Sequence, residues 1–533
     1  MLITVIQYII LIFIILFLVM LAQKLKIAYP IILVLGGLLL SFFKFLPSIR
    51  INPELILLIF LPPLLYEAAW YTSWRELWHW RRIISSFAFL IVIVTSFVVA
   101  IVSSSIIPGF TLALGFVLGS IVSPPDAVSA TSVMQHVKVP KGLAAIIEGE
   151  SLMNDASSLT VFRFASAAVM TGSFVFKDAA GSFVVIIVMG IVIGILIAMI
   201  YYAIHRWLPT NPQMDVVLTL TAPYVMYITA ESFHGSGVLA VVSGGLFLSY
   251  RRQRIFTYSS RIQGANVWST LGFMLNGIVF ILIGLELPVI IKELGSVSLN
   301  EAVKYGLMIT GVLMVTRLLC TFGATVFTIF ASRYITTAQS NPGWKAPLVF
   351  SWAGMRGVVS LAAALSIPVY MNNGQLFPQR NLILFITFTV ILLTLVIQGL
   401  TLPVVIRWLN MEEQDSHLPL EEQERIIVNT LTEKSIEFLD TYYAEDLRAN
   451  TALWELREDL EHRKSISVHN RREGIDHEQY RKVYLKMLDN QRKVLRSFAK
   501  DPRTQDEIVR KFQELVDIEE EILRMKYEYG VSH

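Results

Sequence analysis

The chain has 533 residues, of which 54% are hydrophobic and only 16% charged, with a single cysteine; an average soluble domain is about 45–50% apolar and about 25% charged. That balance points to an all-α polytopic membrane protein, and the lone Cys320 excludes both an intramolecular disulfide and a cysteine-based zinc site. Charge divides the chain near Asn410: residues 1–410 hold 13 acids and 24 bases (net +11), and residues 411–533 hold 28 acids and 20 bases (net −8).

About 20 apolar residues cross the hydrocarbon core as a helix. With turn residues and charges as boundaries, the sequence predicts thirteen spans in a transmembrane domain, 1–410: 1–22, 28–46, 52–70, 83–107, 111–134, 142–170, 181–207, 214–231, 236–250, 266–291, 302–334, 346–371 and 379–408. The first lacks a basic flank ahead of its apolar run, so it is expected to be a span rather than a cleaved signal. The third holds Leu61-Pro62-Pro63-Leu64-Leu65-Tyr66-Glu67; Glu67 either faces a cavity or lies near the membrane surface. Trp70, Trp74, Trp78 and Trp80 follow among charges, as in an interfacial segment. Their place between two spans argues against nucleic acid as a partner.

Ionisable groups inside a membrane are costly, about 2.5–3.5 kcal/mol or more each, and are functional candidates by default. Span five contains Ser123-Pro124-Pro125-Asp126. Each proline lacks an N–H and clashes with the carbonyl four residues back, so the helix is expected to break and free the carbonyls of Ser120 and Ile121. Unwound backbone at membrane depth is tolerated inside protein or beside a water-filled cavity, and such breaks build ion sites in transporters. Asp126 either caps the second half-helix, joins an ion site, or does both.

Span six reads Glu148-Gly149-Glu150-Ser151-Leu152-Met153-Asn154-Asp155. Ser151 and Asp155 are four apart and share a helix face; Glu150 and Asn154 form the adjoining stripe. The column offers carboxylate, hydroxyl and carbonyl oxygens, the shell a hard cation such as sodium prefers. Asp155 is the expected cation- and proton-binding group, and Glu150 the expected partner of an arginine. Span twelve contains Ala353-Gly354-Met355-Arg356-Gly357, where glycines permit irregular backbone. Arg356 stays charged and needs an anionic partner, with Glu150 the expected one. Arg317 and Glu286 form a second pair or reach for the membrane surface; the sequence leaves both open.

Lys and Arg in the short loops set orientation. One side carries 14 (Lys24, Lys26, Arg75, Arg81, Arg82, Lys138, Lys141, Arg206, Arg251, Arg252, Arg254, Arg261, Arg333 and Lys345) and the other 6 (Lys44, Arg50, Lys177, Lys292, Lys304 and Arg380). The richer side is expected to be cytoplasmic, which puts the N-terminus outside and the tail inside. The tail, 411–533, spaces apolar positions such as Leu431, Ile436, Leu439, Val483, Met487 and Leu488 among charges, as amphipathic helices do. It reads as a helical cytosolic domain, regulatory or merely solubilising.

Taken together, Gly149-Glu150-Ser151-Leu152-Met153-Asn154-Asp155-Ala156, the Ser-Pro-x-Asp segment one span earlier and the Gly-x-Arg-Gly segment near residue 356 resemble the monovalent cation/proton antiporters of the NhaP and sodium/proton-exchanger type. The resemblance covers most of residues 1–410. It implies a cation and proton site of Asp155, Asp126, Ser151, Asn154 and the backbone of Pro125, with weaker support for Glu67. It also implies a Glu150–Arg356 structural ion pair, two inverted six-helix repeats, a mobile core and a dimerisation domain, and a homodimer in the bacterial inner membrane. Asn154, where electrogenic relatives carry aspartate, implies electroneutral exchange. Many relatives read Thr-Asp-Pro where this chain reads Pro125-Asp126-Ala127, so a threonine is missing and Pro125 would supply the backbone oxygen. No cofactor is expected beyond transported Na+ and H+, with Asp155 and Asp126 as the sodium ligands. The alternatives are K+/H+ or Li+ exchange and a sodium-coupled symporter; a membrane protease is disfavoured, because no suitably placed Ser–His pair and no His-Glu-x-x-His occur.

Overall fold

A computed structural model describes residues 2–41, 53–134, 137, 139–172, 176–292, 294, 297–331, 343–371, 374–411, 420–469, 477–498, 512 and 515–523. Lys44, Arg50, Lys138 and Arg333, which enter the orientation argument, lie outside these residues. The chain divides into two compact units, Met1–Gln414 and Asp415–His533.

An apolar surrounding leaves backbone N–H and C=O groups no partner but the chain itself, which dictates helix. Among the described residues the regular secondary structure of the first unit is helix, apart from one isolated bridge between Tyr370 and Leu376. Its helices are α1 (Leu2–Leu25), α2 (Tyr29–Ser41), α3 (Pro53–Tyr71), α4 (Trp74–His79), α5 (Arg81–Ser85), α6 (Val92–Ile106), α7 (Leu112–Val122), α8 (Ala127–Met134) and α9 (Lys141–Thr171). They continue with α10 (Phe176–Trp207), α11 (Pro212–Ser232), α12 (Gly237–Ile255), α13 (Tyr258–Lys292), α14 (Leu299–Ala331), α15 (Lys345–Trp352), α16 (Val358–Leu365), α17 (Arg380–Leu393) and α18 (Gly399–Leu409). Single π-helical segments join α5 to α6 (Ser86–Ile91) and α17 to α18 (Thr394–Gln398).

Among the described residues seven stretches are long and apolar enough to cross a membrane: Ile6–Leu25, Arg81–Ile106, Leu112–Met134, Gly181–Trp207, Tyr258–Lys292, Leu299–Phe330 and Arg380–Leu409. The helix α9 is long enough but carries Lys141, Glu148, Glu150, Asp155 and Arg163. The eight-residue helices α15 and α16 are each too short to span alone, at about 1.5 Å of rise per residue. The helices α9, α15 and α16, which bear the polar residues described below, are among those that miss the apolar criterion, as are α11 and α12.

The helices of this unit pack in two sets. In the first, α2 lies along α13, α10 along α12, α12 along α3, and α11 touches α10, α12 and α13. Its buried polar contacts include His205 Nδ1, 2.8 Å from Asp215 Oδ1, with the Ser260 hydroxyl donating to Asp215 Oδ2 at 2.7 Å. This network ties the ends of α10, α11 and α13. In the second set, α6 packs along α7, α7 along α9, and α14 against α6, α15 and α17. Both broken spans, α7/α8 and α15/α16, belong to the second set.

The second unit contains α19 (Leu420–Tyr442), α20 (Ala444–Ala449), α21 (Thr451–His469), α22 (His477–Phe498) and a helical stretch at 515–523. The helices α19 and α21 pack together, clipped by Arg457 Nε to Asp440 Oδ1 at 2.7 Å. Arg492 joins α22 to the last stretch through Asp517 and Glu520, each at 2.6 Å.

Candidate functional site

The first break lies at the adjacent prolines Pro124 and Pro125. The helix α7 ends at Val122 and α8 begins at Ala127, which leaves the last carbonyls of α7 without helical partners. Each must be satisfied if buried. Ser158 of α9 donates its hydroxyl to the Ser120 carbonyl at 2.9 Å. Arg356 Nε donates to the Val122 carbonyl at 2.8 Å, and Arg356 Nη2 to the Ser123 carbonyl at 3.2 Å.

The start of α8 has the complementary need, for acceptors. Asp126 caps it, with the Val128 N–H donating to Oδ1 at 3.1 Å and the Ser129 hydroxyl to Oδ2 at 2.6 Å. The Ala127 N–H donates to Ser151 Oγ of α9 at 3.0 Å. A carboxylate at a helix N-terminus also suits the partial positive charge there.

The second break, residues 353–357, crosses the first. The Asp126 N–H donates to the Met355 carbonyl at 2.7 Å, and the Arg356 N–H donates to Thr394 Oγ1 at 3.2 Å. Close approach explains both glycines. A Cβ at Gly357 would overlap the Asp126 carboxylate, and one at Gly354 would come 2.5 Å from Arg317 Cδ.

The expected Glu150–Arg356 ion pair is not formed. Glu150 accepts from Arg317 of α14 through two parallel bonds, Nη1 to Oε1 at 2.9 Å and Nη2 to Oε2 at 2.8 Å, and the two side chains are 1% and 3% exposed. Arg356 instead gives its guanidinium to backbone carbonyls, those of Val122 and Ser123 and that of Gly354. The physical reason is that two helices, α7 and α15, end at Arg356. Each helix C-terminus carries roughly half a negative charge, so the arginine finds its counter-charge in peptide dipoles. Arg317 accordingly pairs with Glu150 rather than with Glu286.

Where the two breaks cross lies a cavity of about 10 Å³, lined by Pro124, Pro125, Asp126, Ser151, Asp155, Gly357, Val359 and Ser360. That is room for about one water-sized body. Asp155 is 6% exposed. Among the described residues no donor hydrogen-bonds its carboxylate, in contrast to Asp126 and Glu150. The geometry therefore gathers Asp155, Asp126, Ser151 and Pro125 around one small space.

Two predicted residues stand elsewhere. The Asn154 amide Nδ2 donates to the Pro125 carbonyl at 3.0 Å, so that oxygen is already engaged, while Asn154 Oδ1 is buried without a partner among the described residues. Glu67 does not line the cavity; its carboxylate abuts Gly272 of α13. Ser360, Ser158 and Thr394 are site residues that the sequence does not single out, whereas Arg317 stands out as an intramembrane charge but not as the partner of Glu150. Ser360 had a signal, as a lone hydroxyl three residues beyond Gly357 in an apolar helix.

Comparison with known proteins places this architecture. Residues 9–408 match the family described as sodium/hydrogen exchanger, transmembrane. A Bacillus subtilis protein named "Sodium, potassium, lithium and rubidium/H(+) antiporter" is 35% identical over 388 residues, 70% of this chain; the chain spans 57% of that relative's length. A Mycobacterium tuberculosis protein named as an uncharacterized Na(+)/H(+) exchanger is 30% identical over 513 residues, 94% of this chain and 92% of the relative. The solved sodium proton antiporter MjNhaP1 of Methanocaldococcus jannaschii shares the fold, with a TM-score of 0.61 at 19% identity over 76% of this chain and 97% of that one. The family match extends over both helix breaks and the Asp155 helix, and the chain belongs to the sodium/hydrogen exchanger family.

Proposed function

We propose that this chain is a secondary transporter that exchanges Na+ for H+ across a bacterial inner membrane by alternating access, one for one. The observation that carries the reading is Asp155: a carboxyl 6% exposed, without a hydrogen-bond donor among the described residues, facing a space lined by Asp126 and Ser151. A carboxyl in that setting can hold a proton or a cation but not both. If only the loaded forms pass between the two access states, exchange follows from competition alone.

In this reading Asp155 is the shared group, with Ser151 and Asp126 as further oxygen ligands. Asn154 holds the Pro125 carbonyl in place, and Glu67 stands on the route to the site. Glu150 and Arg317 hold α9 against α14, and Arg356 holds the two breaks together. The second helix set moves against the first, carrying the site with it. Thirteen spans, two inverted six-span repeats, an outside N-terminus, a cytosolic tail with a regulatory role and a homodimeric assembly complete the proposal. The broken spans, fifth and twelfth in the sequence reading, then hold the same place in two repeats separated by one linking span. The name of the Bacillus relative favours a second reading in which K+ or Li+ is also accepted.

The test is sodium-dependent proton flux in proteoliposomes, with Na+, Li+ and K+ supplied separately. Wild-type protein exchanges at least one of them, and Asp155→Asn abolishes the flux while eluting as folded protein. Wild-type-like flux in that variant would end the proposal.

A further inference from the structure

Resting on the transport reading above, we infer that Arg163 and Glu231 form a reversible latch between the helix that bears Asp155 and the set of helices it moves against. Arg163 lies on α9, eight residues beyond Asp155, which places it about 12 Å further along the helix at 1.5 Å per residue. Its Nη2 lies 2.7 Å from Glu231 Oε1 and 2.6 Å from Oε2. Glu231 is at the end of α11, in the other set.

Glu231 is fixed within its own set. Its Oε1 also accepts the N–H of Gly237, the first residue of α12, at 3.0 Å. The start of a helix favours a carboxylate there. Arg163 is therefore the moving half of the pair and Glu231 the fixed half. The other ion pairs of the first unit described above differ in this respect. Arg317–Glu150 lies inside the second set and His205–Asp215 inside the first, so neither stretches when the sets slide. Arg163–Glu231 crosses the boundary and must part.

Exposure makes parting reversible. The two side chains are 43% and 28% exposed, so neither ion is sealed inside the protein when the pair separates. A buried pair such as Arg317–Glu150 would lock the boundary; this one biases it. Pairs of this exposure shift a two-state population by about two- to fivefold. With the N-terminus outside, the C-terminal half of α9 lies toward the outer surface, so the paired state seals the outer side of the site.

The test is a double-mutant cycle in oriented proteoliposomes: Arg163→Gln, Glu231→Gln and both together. Glu231→Gln keeps an acceptor for the Gly237 N–H while removing the charge. Each single change should lower the half-saturating cation concentration at the outer face and raise it at the inner face, by about two- to fivefold. The double variant should match the singles, and Arg163→Lys should return values toward wild type. Changes of the same sign at both faces, additive effects in the double variant, or no change would overturn the latch while wild-type exchange stands. Wild-type protein that exchanges no cation would instead overturn the transport reading, and the latch with it.

Discussion

Glu150 and Asp155 are buried carboxylates on one helix, five residues apart, yet they have opposite surroundings. Glu150 meets the guanidinium of Arg317 through two parallel bonds, while Asp155 receives no hydrogen bond from any described residue and faces a small cavity. A carboxylate with both oxygens held by one guanidinium is a structural part. One without donors is free to exchange what it binds. Position on the helix decides between them: Glu150 turns toward α14, and Asp155 shares its face with Ser151 toward the two helix breaks.

The largest effect that could break this comparison comes from the structural half. Arg317→Met leaves Glu150 charged and unpaired in a buried setting, and should destabilise the protein by about 3–5 kcal/mol. Thermal melting in detergent reads this directly, and a melting temperature unchanged from wild type would show that Glu150 does not depend on its partner. Asp155→Asn, by contrast, removes a carboxyl that no described residue donates to, and should melt at or above the wild-type temperature. A smaller effect sharpens the account of the frame around both acids. Ser158→Ala withdraws the hydroxyl from the Ser120 carbonyl and should cost about 1 kcal/mol. An unaltered melting curve would mean that another group, such as Ser123 at 3.4 Å, suffices for that carbonyl.

Much of this site is legible in the sequence because it is local. Two adjacent prolines remove two donors and favour the break between Val122 and Ala127, although the same dipeptide at Pro62-Pro63 leaves α3 continuous, so the prolines act together with the Asp126 cap and the crossing segment at 353–357. Asp126 stands where an N-cap belongs, and it caps. The four-residue spacing of Ser151 and Asp155 puts both on the cavity. What is not legible is long-range pairing. Glu150 and Arg317 are 167 residues apart, and nothing near either one says that they meet. The partner of Arg356 was missed for a different reason: it is no side chain but the carbonyl ends of two helices, one of them 233 residues away. The glycines at 354 and 357 suggested irregular backbone, whereas their tighter role is to let Arg317 and the Asp126 carboxylate approach. For the fold, helices were readable throughout. The apolar criterion passes over α9, α15 and α16, because charges or breaks interrupt them where the chemistry resides.

The competition of one carboxyl for two cations can be measured without transport. Purified protein in a weakly buffered detergent solution is given Na+, and released protons are counted against bound cation. The account predicts about one proton released for each cation bound, and no release from Asp155→Asn. Cation binding to wild-type protein with no proton release, or unchanged release from Asp155→Asn, would contradict it.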